Sequence, residues 1–241
     1  MKLKYLRISA FYTFLRPYSE WTRKRRMRAY TARMGVREGM SILDLGGLPP
    51  IWDGVSPRLN LTILNLPGIM EPKASSHHKI RYVEGDACHV WEFKEQSFDS
   101  VFSNSVIEHV GSVDKQAAFA AEVRRLGKSY WVQTPSRWFP IEAHCGMPFW
   151  WFYPARLRRY FMESWRKKLP EWTEMVETTT VVSKASLQRF FPEATIATET
   201  FFGIPKSYIA YFPGDRSAVA AQSRESESSR TALPPLAGTA K

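Results

Sequence analysis

A chain of 241 residues, 44% hydrophobic and 14% aromatic, can bury a sizeable core, and its length favours one domain with appendages over two full domains. Its formal charge of +11 speaks about partners (a polyanion, an anionic lipid surface, an acidic substrate) or a solvated basic face, and excludes nothing about fold. Two cysteines, Cys88 and Cys145, are too few for a disulfide framework and read as buried thiols, and no apolar run approaches the roughly 18 residues of a membrane span, so a cytoplasmic, reducing setting without a cleaved signal peptide is expected.

Residues 1–34 form a basic N-terminal segment. Lys2, Lys4 and Arg7 alternate with Leu3, Tyr5, Leu6, Ile8, Phe11 and Phe14, so a helix here would be amphipathic and suited either to an anionic membrane interface or to a lid over the domain. A second basic helix is expected from Ser19 to Met34, carrying Arg23-Lys24-Arg25-Arg26, Arg28 and Arg33 and stopped by Gly35.

Four short apolar runs then end in polar residues. Ser41-Ile42-Leu43-Asp44-Leu45-Gly46-Gly47 reads as a buried parallel strand that must turn sharply at its end. Leu61 to Asn65, Ile80 to Asp86 and Ser97 to Ser105 follow. Asn65 lies 21 residues after Asp44, and Asp86 lies 21 after Asn65, a spacing that suits successive strand–helix units whose strand ends line one crevice. Pro49-Pro50-Ile51-Trp52 should open a short helix with free N–H groups for an anion. His77 and His78 read as surface residues, because no third ligand stands at metal spacing; no metal site is expected.

Asp114 to Leu126 is a helix with Arg124 and Arg125 in its last turn and Gly127 as its stop, and Ser129 to Thr134 is a fifth strand. From Pro135 to Pro154, prolines interleave with Trp138, Phe139, Phe149, Trp150, Trp151, Phe152 and Tyr153, which forbids a regular helix and supplies a rigid apolar wall. Residues 137–172, ending in a cation-rich amphipathic stretch, read either as a substrate-facing insertion or as a core patch with a solvated helix. Ser183 to Phe191 is a helix, and Ala194–Phe202 and Ser207–Phe212 are two last strands separated by Gly203 to Lys206. Residues 214–241 lack aromatics and should be disordered.

Leu43-Asp44-Leu45-Gly46-Gly47, Leu64-Asn65-Leu66, Gly85-Asp86-Ala87 and Phe98 to Val110, in this order, resemble a class I S-adenosylmethionine-dependent methyltransferase of the type 11 kind. The resemblance implies an α/β, Rossmann-like, seven-stranded, mostly parallel sheet over residues 35–213, with helices on both faces and an antiparallel final hairpin. It implies S-adenosyl-L-methionine as cofactor, with contacts from Asp44, Gly46, Gly47, Asn65, Leu66, Asp86, Ala87, Ser103, Asn104 and Ser105, and an N-terminal helix that brings Tyr18 and Tyr30 towards the crevice. Two positions depart from the pattern: Leu48 and Pro50 replace glycines, and Asn65 stands where an acid usually holds the ribose hydroxyls.

The implied reaction is methyl transfer to a small-molecule or lipid- or glycan-linked acceptor, catalysed mainly by aligning nucleophile, methyl and sulfur. His144 and Glu142 are candidate acid–base residues because they sit in the insertion, and His109 is a third. Two alternatives stand beside it: an RNA methyltransferase, which lacks a recognisable RNA-binding module, and an inactive cofactor-binding scaffold. The oligomeric state has no signature in the sequence.

Overall fold

Ile42 and Leu43 are neighbours in sequence but pack on opposite faces of one sheet, and this period-two alternation organises the molecule. The computed structural model describes residues 20–69, 77–142 and 144–214. The expectations for the segment before residue 20 (including Tyr18), for the loop at 70–76 and for the tail from 215 lie outside the described residues.

Seven strands form a single sheet: β1 (Ser41–Leu45), β2 (Asn60–Asn65), β3 (Lys79–Glu84), β4 (Ser100–Asn104), β5 (Tyr130–Pro135), β6 (Thr195–Phe201) and β7 (Ile204–Phe212). Their order is β3-β2-β1-β4-β5-β7-β6. The first five pair in parallel, whereas β7 runs antiparallel between β5 and β6. The expected seven-stranded Rossmann-like architecture is thus present. The order reverses between β1 and β4, so the ends of these strands open the crevice at which such sheets take ligands.

One face carries α2 (Val113–Leu126) and, later in the chain, α5 (Lys184–Phe190), with Phe119, Val123, Leu126 and Leu187 packed on Leu43, Val101 and Val132. The other face carries α1, residues 20–34, whose Met27, Tyr30 and Met34 pack on Ile42, Trp52, Phe102 and Trp131. Two helices between β5 and α5, α3 (Ala155–Arg166) and α4 (Pro170–Thr178), stand apart from both layers. They are held together by Trp150, Phe161, Trp165 and Trp172, with ring centroids 5.1–5.7 Å apart from Trp150 to Trp165, Phe161 to Trp165 and Trp165 to Trp172.

The final hairpin is tighter than expected. Phe202 and Gly203, both at positive φ (46° and 78°), make a two-residue turn, so β7 begins at Ile204 rather than Ser207. His78 corrects a second expectation: it is buried, Leu59 N–H donates to its Nδ1, and its Nε2 reaches Trp52 O at 3.0 Å, while His77 is exposed as expected. The ring of Tyr30 is a third. It is fully buried, its hydroxyl 3.1 Å from Ser100 Oγ at the start of β4, and it meets Trp52, Phe102 and Trp131 edge-on, so it belongs to the core and not to the crevice.

Candidate functional site

The C-terminal ends of β1, β2 and β3 carry the first group of expected contacts. Gly46 takes φ +71°, which only glycine adopts without strain, and lets the chain turn back beside β4. A side chain there would strike Val106 at 2.6 Å, so Val106 holds this turn to glycine.

Asp44 differs from its expected place at an open strand end. Its carboxylate is fully buried, accepts a 2.7 Å hydrogen bond from Trp52 Nε1 and lies against Gly47, where an added Cβ would come within 1.8 Å of Oδ2. Burial pushes its pKa up to about 7, against the opposing Trp52 bond. Asn65 is buried too, and its Nδ2 donates to Gly47 O at 2.8 Å. An acid at this position has no proton to donate when ionised, so the asparagine ties down the glycine turn.

The Pro49–Ile51 turn is a single 3₁₀ turn. Its N–H groups are not free for an anion: Ile51 and Trp52 donate to Leu48 O and Pro49 O, and prolines have none to give. What this edge exposes instead is Leu48 (56%) and Leu66 (53%), beside an exposed Asp86 whose Oδ1 accepts from Cys88 N–H, and a half-buried Ala87. Two exposed leucines and a carboxylate at adjacent strand ends suit an adenosine: apolar contact for the ring, an acceptor for its amine.

The second group lies at the ends of β4 and β5. Ser103 is fully buried and donates to Leu45 O. Ser105 is held at φ +58°, an uncommon conformation for a residue other than glycine, by bonds from its N–H and Oγ to the carbonyl and side-chain oxygens of Gln133. Asn104 Oδ1 accepts from Arg26, which also reaches Gln133 Oε1 at 3.1 Å and Glu199 Oε2 at 2.6 Å. Arg26 is 7% exposed. A basic run read as solvated thus sends one member 78 residues along the chain to position the β4 terminus. Burial pushes the Glu199 carboxyl up, but the charge of Arg26 and the Ser207 hydroxyl outweigh it and hold the pKa below the usual range.

His109, Glu142 and His144, three candidates drawn from two separate stretches, converge here. His144 Nδ1 lies 2.8 Å from Glu142 Oε1, and the other oxygen of Glu142 accepts from the N–H groups of His144 and Cys145. The two Nε2 atoms of His109 and His144 face each other at 2.9 Å with the rings at 85°. His109 Nδ1 lies 3.3 Å from Thr179 Oγ1, whose hydroxyl donates to Met175 O.

Burial opposes charge on both rings, but Glu142 outweighs it at His144 and raises that pKa, whereas at His109 burial and the neighbouring His144 both act downwards, to about 4. Of the two rings, His144 beside Glu142 is therefore the one that favours the proton, and His109 the one that favours the neutral form. Under them lies Glu108, 1% exposed, with Oε2 accepting from Thr134 Oγ1 and Oε1 without a hydrogen-bond partner; burial pushes its pKa up to about 7. One ligand atom each from Glu108, His109 and His144 lie within 4.8 Å of one another, a grouping that spacing does not reveal because the histidines stand 35 residues apart.

Thr179 also lines a cavity of about 350 Å³ with Trp150, Trp151, Arg158, Arg159 and Met162. Sequence reasoning missed α4 and Thr179, since Thr173 to Val182 carries no motif, and missed Arg26, which follows three exposed cations, Arg23, Lys24 and Arg25. The candidates do stand at the ends of the strands from which spacing placed them, but the partners of Asp44 and Asn65 were not foreseeable from spacing.

Comparison with known proteins bears on this edge of the sheet. Residues 65–129, from the end of β2 through α2, match the family model described as a methyltransferase domain. No curated protein matches the sequence. Among solved structures, an S-adenosylmethionine-dependent methyltransferase from Aquifex aeolicus is 13% identical with a TM-score of 0.44, covering 76% of this chain and 87% of its own. The PH0226 protein of Pyrococcus horikoshii OT3 is 16% identical at TM-score 0.47 (85% and 89% covered), and the magnesium protoporphyrin IX methyltransferase of Synechocystis PCC 6803 is 12% identical at 0.47 (78% of each). The matched stretch carries Asn65, Asp86 and Ser105, at or just past the ends of β2, β3 and β4, so this part of the chain is similar to a methyltransferase domain, within a sheet of order β3-β2-β1-β4-β5-β7-β6.

Proposed function

We propose that the protein transfers the sulfonium methyl of S-adenosylmethionine to a nucleophilic oxygen or nitrogen on a small amphiphilic or lipid- or glycan-linked acceptor. Residues 35–213 form the catalytic unit and residues 137–172 its acceptor-facing insertion. The observation that carries the reading is the surface of that insertion beside the histidine pair. Trp138, Phe149 and Phe152 are 48–55% exposed, and the Arg137 guanidinium lies 5.0 Å from the Trp138 ring centroid and 6.0 Å from that of Phe152. Exposed aromatics with a cation over them suit an acceptor that is apolar in body and polar at its head.

On this reading Leu48, Leu66, Asp86 and Ala87 hold the adenosine, and the turn at Gly46 and Gly47, braced by Asp44 and Asn65, shapes the methionine end. Asn104 and Ser105 would border the methyl, while Ser103, buried and bonded to Leu45 O, supports them from within the sheet. The cofactor supplies an activated methyl group. Transfer would pass the methyl to the acceptor's lone pair, leave the sulfur–carbon electron pair on sulfur and release the acceptor's proton to solvent. Most of the acceleration comes from holding the three atoms in line. The histidine pair, with Glu142 orienting His144, would stand on the acceptor side, joined to the cavity through Thr179.

No described helix is long and apolar enough to cross a membrane. A lipid-linked acceptor would be met from the membrane surface, through the cations and exposed aromatics of the insertion and the basic N-terminal segment.

Calorimetric titration with S-adenosylmethionine and its demethylated product, followed by mass spectrometry of lipid and small-molecule fractions incubated with isotopically labelled cofactor, tests the reading. The expected outcome is one cofactor site and a labelled product in an amphiphilic fraction. Absence of cofactor binding would leave an inactive scaffold. Label appearing in RNA alone would move the acceptor to a polyanion.

A further inference from the structure

We propose that Glu108, His109 and His144 bind a divalent first-row transition ion, of which Zn²⁺ is the leading case, and that the ion holds the acceptor's nucleophile; the second part rests on the methyl-transfer reading above.

The two Nε2 atoms are 2.9 Å apart. Two imidazole nitrogens on one zinc, each about 2.0–2.1 Å from it and at an angle of about 90–110°, sit roughly 2.9–3.4 Å apart, so the pair needs an opening of a few tenths of an ångström at most. An ion between them would take the place of the shared proton.

Both outer nitrogens are already oriented as metal-bound histidines require. His144 Nδ1 faces the Glu142 carboxylate at 2.8 Å and His109 Nδ1 faces Thr179 Oγ1 at 3.3 Å, which fixes each ring with its Nε2 inward. The independent observation is Glu108. It is 1% exposed, one oxygen is taken by Thr134, and Oε1 has no hydrogen-bond partner, an arrangement that a simple pair of bonded histidines does not explain. A carboxylate oxygen of Glu108 and one ring nitrogen each of His109 and His144 fall within 4.8 Å of one another.

Two imidazoles and a carboxylate favour zinc, iron, cobalt or nickel over magnesium or calcium. Three protein donors leave a position open, as in metal sites that take up a reactant. Acceptor hydroxyls lose their proton more readily on such an ion, which is the use the transfer would make of it.

The test uses the full chain after chelator treatment. Zn²⁺ is titrated by calorimetry and Co²⁺ by its visible absorption, and S-adenosylmethionine binding is measured in parallel. One equivalent of Zn²⁺ is expected, together with the intense Co²⁺ bands of a four- or five-coordinate site. Glu108→Gln and His144→Ala should each weaken Zn²⁺ at least 100-fold, and Glu142→Gln about 10–100-fold through the orientation of His144. His77→Ala and His89→Ala should change nothing. In the unaltered chain, the ¹⁵N resonances of His109 and His144 Nε2 should shift with Zn²⁺, which keeps the test valid if a variant fails to fold.

No uptake, or uptake that survives both Glu108→Gln and His144→Ala, overturns the metal site. Cofactor binding without metal uptake overturns it while leaving methyl transfer in place. Metal uptake without cofactor binding supports the site and removes its role in methyl transfer.

Discussion

The two halves of the sheet edge solve different problems. At the ends of β1 to β3 the polar side chains are tied to the protein itself: Trp52 bonds Asp44 Oδ2, leaving Oδ1 buried without a partner, Asn65 bonds the Gly47 carbonyl and Asp86 accepts from Cys88. At the ends of β4 and β5, and in the segment that follows, Ser105 and Phe149 sit at φ +58° and +51°, and Glu108 keeps an unpartnered buried oxygen. The first half is a braced cradle of one shape. The second adds backbone strain at residues other than glycine, which persists only where surrounding structure over-determines it and which gathers at sites of chemistry.

The largest way to break this contrast is to cut the clamp joining the N-terminal helix to the second half. Arg26→Leu leaves Glu199 buried without its charge partner, and should cost about 4 kcal/mol in urea denaturation. It should also release Asn104, so turnover falls further than cofactor affinity.

The bracing of the first half has a pH signature. Folding raises the Asp44 pKa to about 7, well above the value near 3.9 of an unfolded aspartate, so between those values the folded state holds a proton that the unfolded state has lost. Stability contributed by this group is therefore present at low pH and falls as pH rises from about 4 to 7. Asp44→Asn keeps an acceptor for Trp52 and removes the titration. It should flatten the stability profile by about 3 kcal/mol across that window; an unchanged slope would show that the carboxylate is ionised in the folded protein.

A kinetic split separates the halves directly. His144→Ala should lower turnover about 100-fold with a small change in cofactor affinity, a magnitude typical of losing a group that acts on the reacting atoms. Asn65→Ala, which frees the glycine turn, should weaken the cofactor several-fold with little effect on saturated turnover. Equal losses of cofactor affinity would join the insertion to the cofactor site. The smallest effect expected is at Phe149, 55% exposed and at positive φ. Phe149→Asn should stabilise the fold by about 1 kcal/mol by relieving the left-handed conformation, while reducing turnover through the lost aromatic surface.

Much of the fold was legible because its signals are local. Apolar runs ending in Asp44, Asn65 and Asp86 at equal spacing mark parallel strands; Gly35 and Gly127 stop helices where they were expected; Pro135 ends β5. Side-chain types at strand ends place candidates at the crevice, since period and spacing determine which residues arrive there.

What those residues do on arrival is a matter of partners distant in sequence. Asp44 was expected at an open edge, yet Trp52 from the next turn covers it; Arg26 looked like one more exposed cation, yet Asn104, Gln133 and Glu199 surround it. His109 and His144 meet only because α4 and the aromatic insertion fold back over β4 and β5 and press Thr179 and Glu142 against them. Sequence alone decided the sheet, its polarity and the edge where the chemistry sits, because hydrophobic period and turn chemistry act over a few residues. Tertiary structure alone decided which polar groups are spent on bracing and which stay available, because burial and hydrogen bonding depend on segments that the chain brings together from tens of residues apart.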